Sequence, residues 1–113
     1  MIEYWHNPRC SKSRAGLALL EEQGAEVRVR KYLEDAPSAE DLRNTQSKLG
    51  LTAIEMMRTG EKRFKELNLT KTASEAELIQ AMAENPILIE RPLAISDDKA
   101  AIGRPTEALL SLL

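Results

Sequence analysis

The chain of 113 residues has a single cysteine, Cys10, and a single histidine, His6, only four residues before it. The turn-forming pair Asn7-Pro8 lies between them, and three cationic side chains surround the cysteine: Arg9, Lys12 and Arg14. A thiol is nucleophilic as the thiolate, and an unperturbed thiol with a pKa of about 8.5 is mostly protonated at pH 7. Because neighbouring cations lower a thiol pKa, the sequence predicts that Cys10 is a nucleophile. The alternative is a small buried apolar residue, which is the commoner fate of a lone cysteine.

Two neighbours of Cys10 have two interpretations each. His6 is either a hydrogen-bond partner or positive neighbour of the thiolate, or a packing residue at the end of a strand, and the sequence favours both alike. Ser13 could donate a hydrogen bond to the thiolate, but capping of a helix start is the more frequent role of serine, and we favour capping with some thiolate contact.

The absence of a second cysteine limits the chemistry of Cys10. Ser13 occupies the position at which a Cys-x-x-Cys motif has its second sulfur. One chain can therefore form neither an internal disulfide nor a cysteine-based zinc or iron–sulfur cluster. Turnover at Cys10 requires a thiol from outside the chain.

The elements around Cys10 are predicted to be a strand, a loop and a helix. Residues 2–6 are mostly apolar, and residues 15–20 carry an apolar stripe at helical spacing that ends at Gly24. Valines and arginines alternate from residue 27, which predicts a second strand ending near Leu33. In this βαβ unit the strands are parallel, and Cys10 lies where the first strand ends and the helix begins. Free N–H groups and the helix dipole favour an anion there.

The rest of the chain predicts a helical insertion and then a return to the sheet. Helix-start signals occur at Ser38, Thr52 and Ser74, and Pro86 ends the last of these three helices. A β-hairpin over residues 93–102 and a C-terminal helix opening at Pro105 follow. The order predicts one α/β domain over residues 1–113, with a four-stranded mixed sheet and a helical insertion at roughly 38–85.

Composition excludes several classes of partner. A net charge of −2 gives no general attraction for nucleic acid, and no apolar run reaches the roughly 20 residues of a membrane span. The N-terminus has Glu3 where a secretion signal would carry basic residues, so we expect a cytoplasmic protein.

The loop His6-Asn7-Pro8-Arg9-Cys10, followed by Ser13-Arg14, resembles the signature of the glutaredoxin-dependent arsenate reductase family. The resemblance covers essentially the whole chain and implies a thioredoxin-like sheet with an inserted helical subdomain. It also implies that three downstream arginines hold the oxyanion, namely Arg58, Arg91 and Arg104. It further implies a cis peptide at Pro92 and, for His6, Asn7, Ser13 and Arg14, a role in binding substrate or stabilising the thiolate. One departure is Ser11-Lys12, where reductases of the family tend to have Gly-Thr.

The implied reaction is reduction of arsenate to arsenite through a covalent thiol–arsenic intermediate on Cys10. Glutathione is then a co-substrate, glutaredoxin is a partner, and no metal or tightly bound cofactor is required. Guanidinium groups suit the oxyanion because each can bind two oxygens and stays charged. Two alternatives remain: a glutathione-dependent thiol-disulfide oxidoreductase of the same fold, and a regulator that binds RNA polymerase. Regulators of that kind usually carry a Cys-x-x-Cys motif, which this chain lacks.

Overall fold

The computed structural model describes all 113 residues, and its chain forms two compact units. The first unit comprises residues 1–35 and 91–113, and the second comprises residues 36–90. The second unit contains the helical insertion, which the sequence places at roughly 38–85. The assignment of both units to a single domain stays a prediction.

The first unit contains one four-stranded mixed sheet, as predicted. Its strands are β1 (Ile2–Trp5), β2 (Val27–Arg30), β3 (Leu93–Ile95) and β4 (Ala100–Ile102). The strand order is β2-β1-β3-β4. β1 is parallel to β2 and antiparallel to β3, and Tyr4 of β1 lies opposite both Val29 and Ala94. β3 and β4 form the predicted antiparallel hairpin. β1 is thus an inner strand, and the loop that follows it lies beside the loop that follows β2.

The helix α1 (Ser11–Glu22) packs one face into the first unit and begins four residues before its predicted apolar stripe. The buried residues of that face are Ser13, Gly16 and Leu20. Leu20 packs in a core cluster with residues of the sheet and of the C-terminal segment: Ile2, Tyr4, Ala94, Ala101 and Leu109. The helix is therefore anchored directly behind the strand that leads to Cys10.

The predicted C-terminal helix is present over Thr106–Leu112, directly after Pro105, but it is a 3₁₀ helix and not an α-helix. With three residues per turn, Leu109 and Leu112 lie one above the other, and both pack against the core cluster. The predicted cis peptide at Arg91-Pro92 is present. A second cis peptide, at Arg104-Pro105, was not anticipated from the sequence.

The second unit is helical. Its α-helices are α2 (Ala39–Leu49), α3 (Lys62–Glu66) and α4 (Glu75–Glu84), and its 3₁₀ segments are Ile54–Met56 and Pro86–Leu88. Ser38 and Ser74 cap α2 and α4 as predicted. The segment after Thr52 is one 3₁₀ turn and not a helix. The unpredicted α3 buries only Phe64 and has no side-chain cap, so it leaves little signal in the sequence. No helix of either unit has the length and apolarity to cross a bilayer.

Candidate active site

Cys10 ends a tight turn that joins β1 to α1. Its N–H donates to the Asn7 carbonyl oxygen at 3.0 Å, and the Arg9 N–H donates to Asn7 Oδ1 at 3.1 Å. The Cys10 carbonyl oxygen accepts the first helical hydrogen bond, from the Arg14 N–H at 3.0 Å. Cys10 is therefore the N-cap residue of α1, with an extended backbone. This places the sulfur at the positive end of a twelve-residue helix.

The surroundings of the sulfur lower its pKa. Partial burial raises the pKa of the Cys10 thiol, but a hydrogen bond from Arg91, the backbone N–H groups of Ser13 and Lys12, and the charge of Arg91 together outweigh it. The two N–H groups face the sulfur without forming a capping hydrogen bond of standard geometry. Because Cys10 is only partly buried, a substrate can reach the thiolate.

Ser13 links the loop to the helix, and the prediction that it caps the helix is wrong. Cys10 occupies the N-cap position, and the Ser13 hydroxyl instead bonds to groups of the preceding loop. Ser13 Oγ accepts from the Asn7 N–H at 3.0 Å and lies 2.8 Å from His6 Nδ1. Ser13 is fully buried, so this contact fixes the loop against the first turn of α1.

His6 lies behind the loop and is buried. Burial, together with the positive charges of Lys31 and Arg14, lowers the pKa of its imidazole. An imidazole with a lowered pKa is neutral at pH 7. His6 therefore acts in the site as the hydrogen-bond partner of Ser13 and does not supply a positive charge. Its role in stabilising the thiolate stays a prediction.

The four predicted arginines fall in three places. Arg91 contacts Cys10, and Arg104 Nε donates to the Arg91 carbonyl oxygen at 2.7 Å. The Arg14 guanidinium reaches back over the loop to the Pro8 carbonyl oxygen at 2.7 Å. Arg58 belongs to the second unit, where it forms an ion pair of 2.7 Å with Glu61. The structure thus brings Arg91 and Arg104 together in the unit that carries Cys10, and the binding role of each arginine stays a prediction.

Sequence reasoning did not identify Tyr4 as part of this site. Its hydroxyl donates to the Ser13 carbonyl oxygen at 2.6 Å, and burial raises the pKa of its phenol. The Tyr4 and His6 rings are 5.7 Å apart. The sequence indicated this role only through spacing. Tyr4 lies two positions before His6, and residues two apart along a strand share a face.

The site contains no evident metal centre. No group of three or more His, Cys, Asp or Glu side chains lies close enough to bind a metal ion. The Cys10 thiol at the strand-to-helix junction has a lowered pKa and is held by an arginine and backbone N–H groups. This arrangement suits attack by a thiolate on an anion that the arginines can also bind.

Comparison with known proteins shows the family and the fold of this chain. The ArsC family profile matches residues 5–112. The uncharacterized protein YfgD of Escherichia coli is 48% identical, with 99% of this chain and 96% of YfgD aligned. An arsenate reductase of Neisseria meningitidis is 44% identical over 99% of this chain and 97% of its own length. The solved arsenate reductase from Vibrio cholerae superposes with a TM-score of 0.94 at 48% identity, covering 99% of this chain and 97% of its own. The predicted thioredoxin-like fold is confirmed, and the chain belongs to the ArsC family.

Proposed function

We propose that this chain is an arsenate reductase, an oxidoreductase in which the Cys10 thiolate attacks arsenate. Glutathione is the co-substrate, and glutaredoxin is the partner that regenerates the thiol. The observation that carries the proposal is the lowered pKa of Cys10 at the start of α1, with the Arg91 guanidinium hydrogen-bonded to it. The ArsC membership and the relatives named arsenate reductase support arsenate as the oxyanion.

The first step joins sulfur to arsenic. The Cys10 thiolate attacks the arsenic atom of arsenate, an S–As bond forms, and one arsenate oxygen takes up protons and leaves as water. Arg91 and Arg104 neutralise the oxyanion while this happens, because their guanidinium groups stay charged and each can bind two oxygens. The assignment of Arg58 to the same oxyanion rests on the family resemblance.

The second step transfers two electrons. A glutathione thiolate attacks the Cys10 sulfur, and the S–As bond breaks with its electron pair remaining on arsenic, so arsenic passes from the +5 to the +3 state. Arsenite leaves, and Cys10 remains in a mixed disulfide with glutathione. A glutaredoxin thiolate then attacks the glutathione sulfur and frees the Cys10 thiolate. Since the chain has no second cysteine, both thiols come from outside, as the reducing cytoplasm can supply them.

The test is arsenate-dependent oxidation of NADPH with glutathione, glutaredoxin and glutathione reductase present. The wild type should turn over arsenate, and Cys10→Ser should reduce the rate to background because an alcohol is a far weaker nucleophile than a thiolate. Turnover should also stop when glutaredoxin is omitted. Arsenate turnover that survives Cys10→Ser would contradict the mechanism. A wild type that reduces glutathione mixed disulfides but does not respond to arsenate would establish the thiol-disulfide oxidoreductase instead.

A further inference from the structure

The loops that follow β1 and β2 enclose a cavity of about 300 Å³ next to the cysteine turn. One wall is the segment His6 to Arg9, and the other consists of Lys31, Leu33 and Glu34. The two loops are adjacent because β1 and β2 are parallel, so their carboxyl ends meet at the same edge of the sheet. The His6 N–H donates to the Arg30 carbonyl oxygen at 2.8 Å and ties the two loops together. The cavity is therefore a fixed feature of the sheet edge that carries Cys10.

The cavity has two positive side chains and one negative side chain at its walls. Arg9 and Lys31 are the cations, and Glu34 is the anion. All three are exposed, and none of them forms an ion pair within the protein. Leu33 adds an apolar surface that remains 42% exposed. The cavity thus offers charged groups to a ligand without first breaking an internal pair.

We propose that this cavity is the subsite that binds glutathione, an inference that rests on the proposed function. Glutathione is a small peptide with two carboxylates and one ammonium group, and Arg9, Lys31 and Glu34 provide the complementary charges. A cavity of about 300 Å³ lies at the lower end of the range for small-molecule sites, which suits a molecule of three residues.

The position of the cavity suits the reaction as well as the charges do. Arg9 directly precedes Cys10, and their Cα atoms are about 3.8 Å apart across one peptide bond. Three extended residues span roughly 10 Å, so a peptide bound in this cavity is long enough to extend from the Arg9 wall toward Cys10. From there the glutathione thiolate attacks the Cys10 sulfur, which is the step that breaks the S–As bond.

The variants Lys31→Ala and Arg9→Ala test the subsite, with Lys99→Ala as the matched control. Lys99 is an exposed lysine of the β3–β4 hairpin, away from the cavity lining. Each cavity variant should raise the KM for glutathione about tenfold, the size expected for loss of one charge-assisted hydrogen bond. With 2-mercaptoethanol, which has no carboxylate, Lys31→Ala should match the wild type. Lys31→Ala should not change the KM for arsenate.

A second measurement does not need arsenate turnover and so separates the two proposals. The Cys10 thiolate attacks either glutathione disulfide or hydroxyethyl disulfide, and mass spectrometry follows the resulting mixed disulfide. The wild type should prefer glutathione disulfide, and Lys31→Ala and Arg9→Ala should lose most of that preference. If the wild type lacks arsenate turnover but shows this pattern, the proposed function fails and the subsite stands.

Three results would overturn the subsite. The first is an equal loss with glutathione and 2-mercaptoethanol, which would mean that the variants act on Cys10 itself, for example through the charge of Lys31 on His6. The second is an equal effect of Lys99→Ala, which would mean a general charge effect. The third is an effect on the KM for glutaredoxin alone, which would mean that the cavity contacts the partner protein.

Discussion

The reactivity of Cys10 depends on one residue that is distant in the chain and on others that are adjacent. Lys12 and Ser13 contribute backbone N–H groups that any sequence would supply at a helix start. Arg91 contributes its side chain, which lowers the pKa of Cys10 through a hydrogen bond and, to a smaller extent, through its positive charge. The side chain is therefore the part of the thiolate environment that substitution can remove without changing the backbone.

Arg91→Ala is expected to raise the pKa of Cys10. The variant removes the hydrogen bond and the positive charge that favour the thiolate, while the burial that opposes it remains. Iodoacetamide reacts with the thiolate, so the midpoint of the alkylation rate against pH should move to higher pH. Arg28→Ala is the control, because Arg28 is an exposed arginine whose partner is Glu3. An unchanged midpoint in Arg91→Ala would contradict the assigned role of its guanidinium.

Residue types near Cys10 could be predicted from the sequence, but not all of their contacts. The thiol, its cations and the strand-to-helix position follow from local sequence. The pairing of Ser13 with His6 and Asn7 does not, because a serine three residues into a helix can face either the helix start or the preceding loop. Tyr4 contacts Ser13 only because β1 lies behind α1, which is a tertiary contact.

At the scale of the elements, the junction of β1 with α1 depends on the buried Ser13 hydroxyl. Ser13→Ala should lower the free energy of unfolding by about 1–3 kcal/mol, since the partly buried Asn7 N–H loses its acceptor and the buried His6 ring loses its hydrogen-bond partner. Urea denaturation followed by circular dichroism measures this change. Ser11→Ala is the matched control, because Ser11 is exposed and opens the same helix. Equal destabilisation by the two variants would show that the contact with the loop contributes nothing.

The elements with strong local signals were predictable, and those with weak signals were not. The Ser38 and Ser74 caps mark α2 and α4 correctly because each accepts a hydrogen bond from a backbone N–H in the first turn. The helix α3 has five residues and one buried side chain, which is too little for a periodic pattern. At the C-terminus, leucines spaced by three and four residues fit both helix types, so the sequence does not distinguish an α-helix from the 3₁₀ helix in which Leu109 and Leu112 pack at the core.

At the scale of the whole chain, the candidate site contains residues from two distant parts of the sequence. These parts are the N-terminal β1–α1–β2 segment and the C-terminal β3–β4 hairpin. Antiparallel pairing of β1 with β3 connects the strand that leads to Cys10 with the strand that follows Arg91-Pro92. Local patterns carry no information on that pairing, so Arg91 and Arg104 could be selected only by family resemblance. The pairing also means that packing on the far side of the hairpin can affect the site.

Gly103 is the position at which this connection can be tested. Its N–H donates to the Pro92 carbonyl oxygen at 2.8 Å, and an added Cβ would lie 2.7 Å from Pro92 Cγ and 3.1 Å from Leu109 Cδ1. Gly103→Ala therefore forces Pro92 or Leu109 to move, and overpacking of this kind costs about 1–3 kcal/mol. Thermal unfolding should show the loss, and alkylation of Cys10 at pH 7 should slow because Pro92 directly follows Arg91.

Gly60→Ala is the matched control for that experiment. An added Cβ at Gly60 meets no atom within 4 Å, and its backbone does not require glycine. The control should change neither thermal unfolding nor the alkylation rate. If Gly103→Ala lowers stability but leaves alkylation of Cys10 unchanged, the packing around Pro92 stabilises the first unit without holding Arg91 in place. The guanidinium would then be positioned by its own contacts alone.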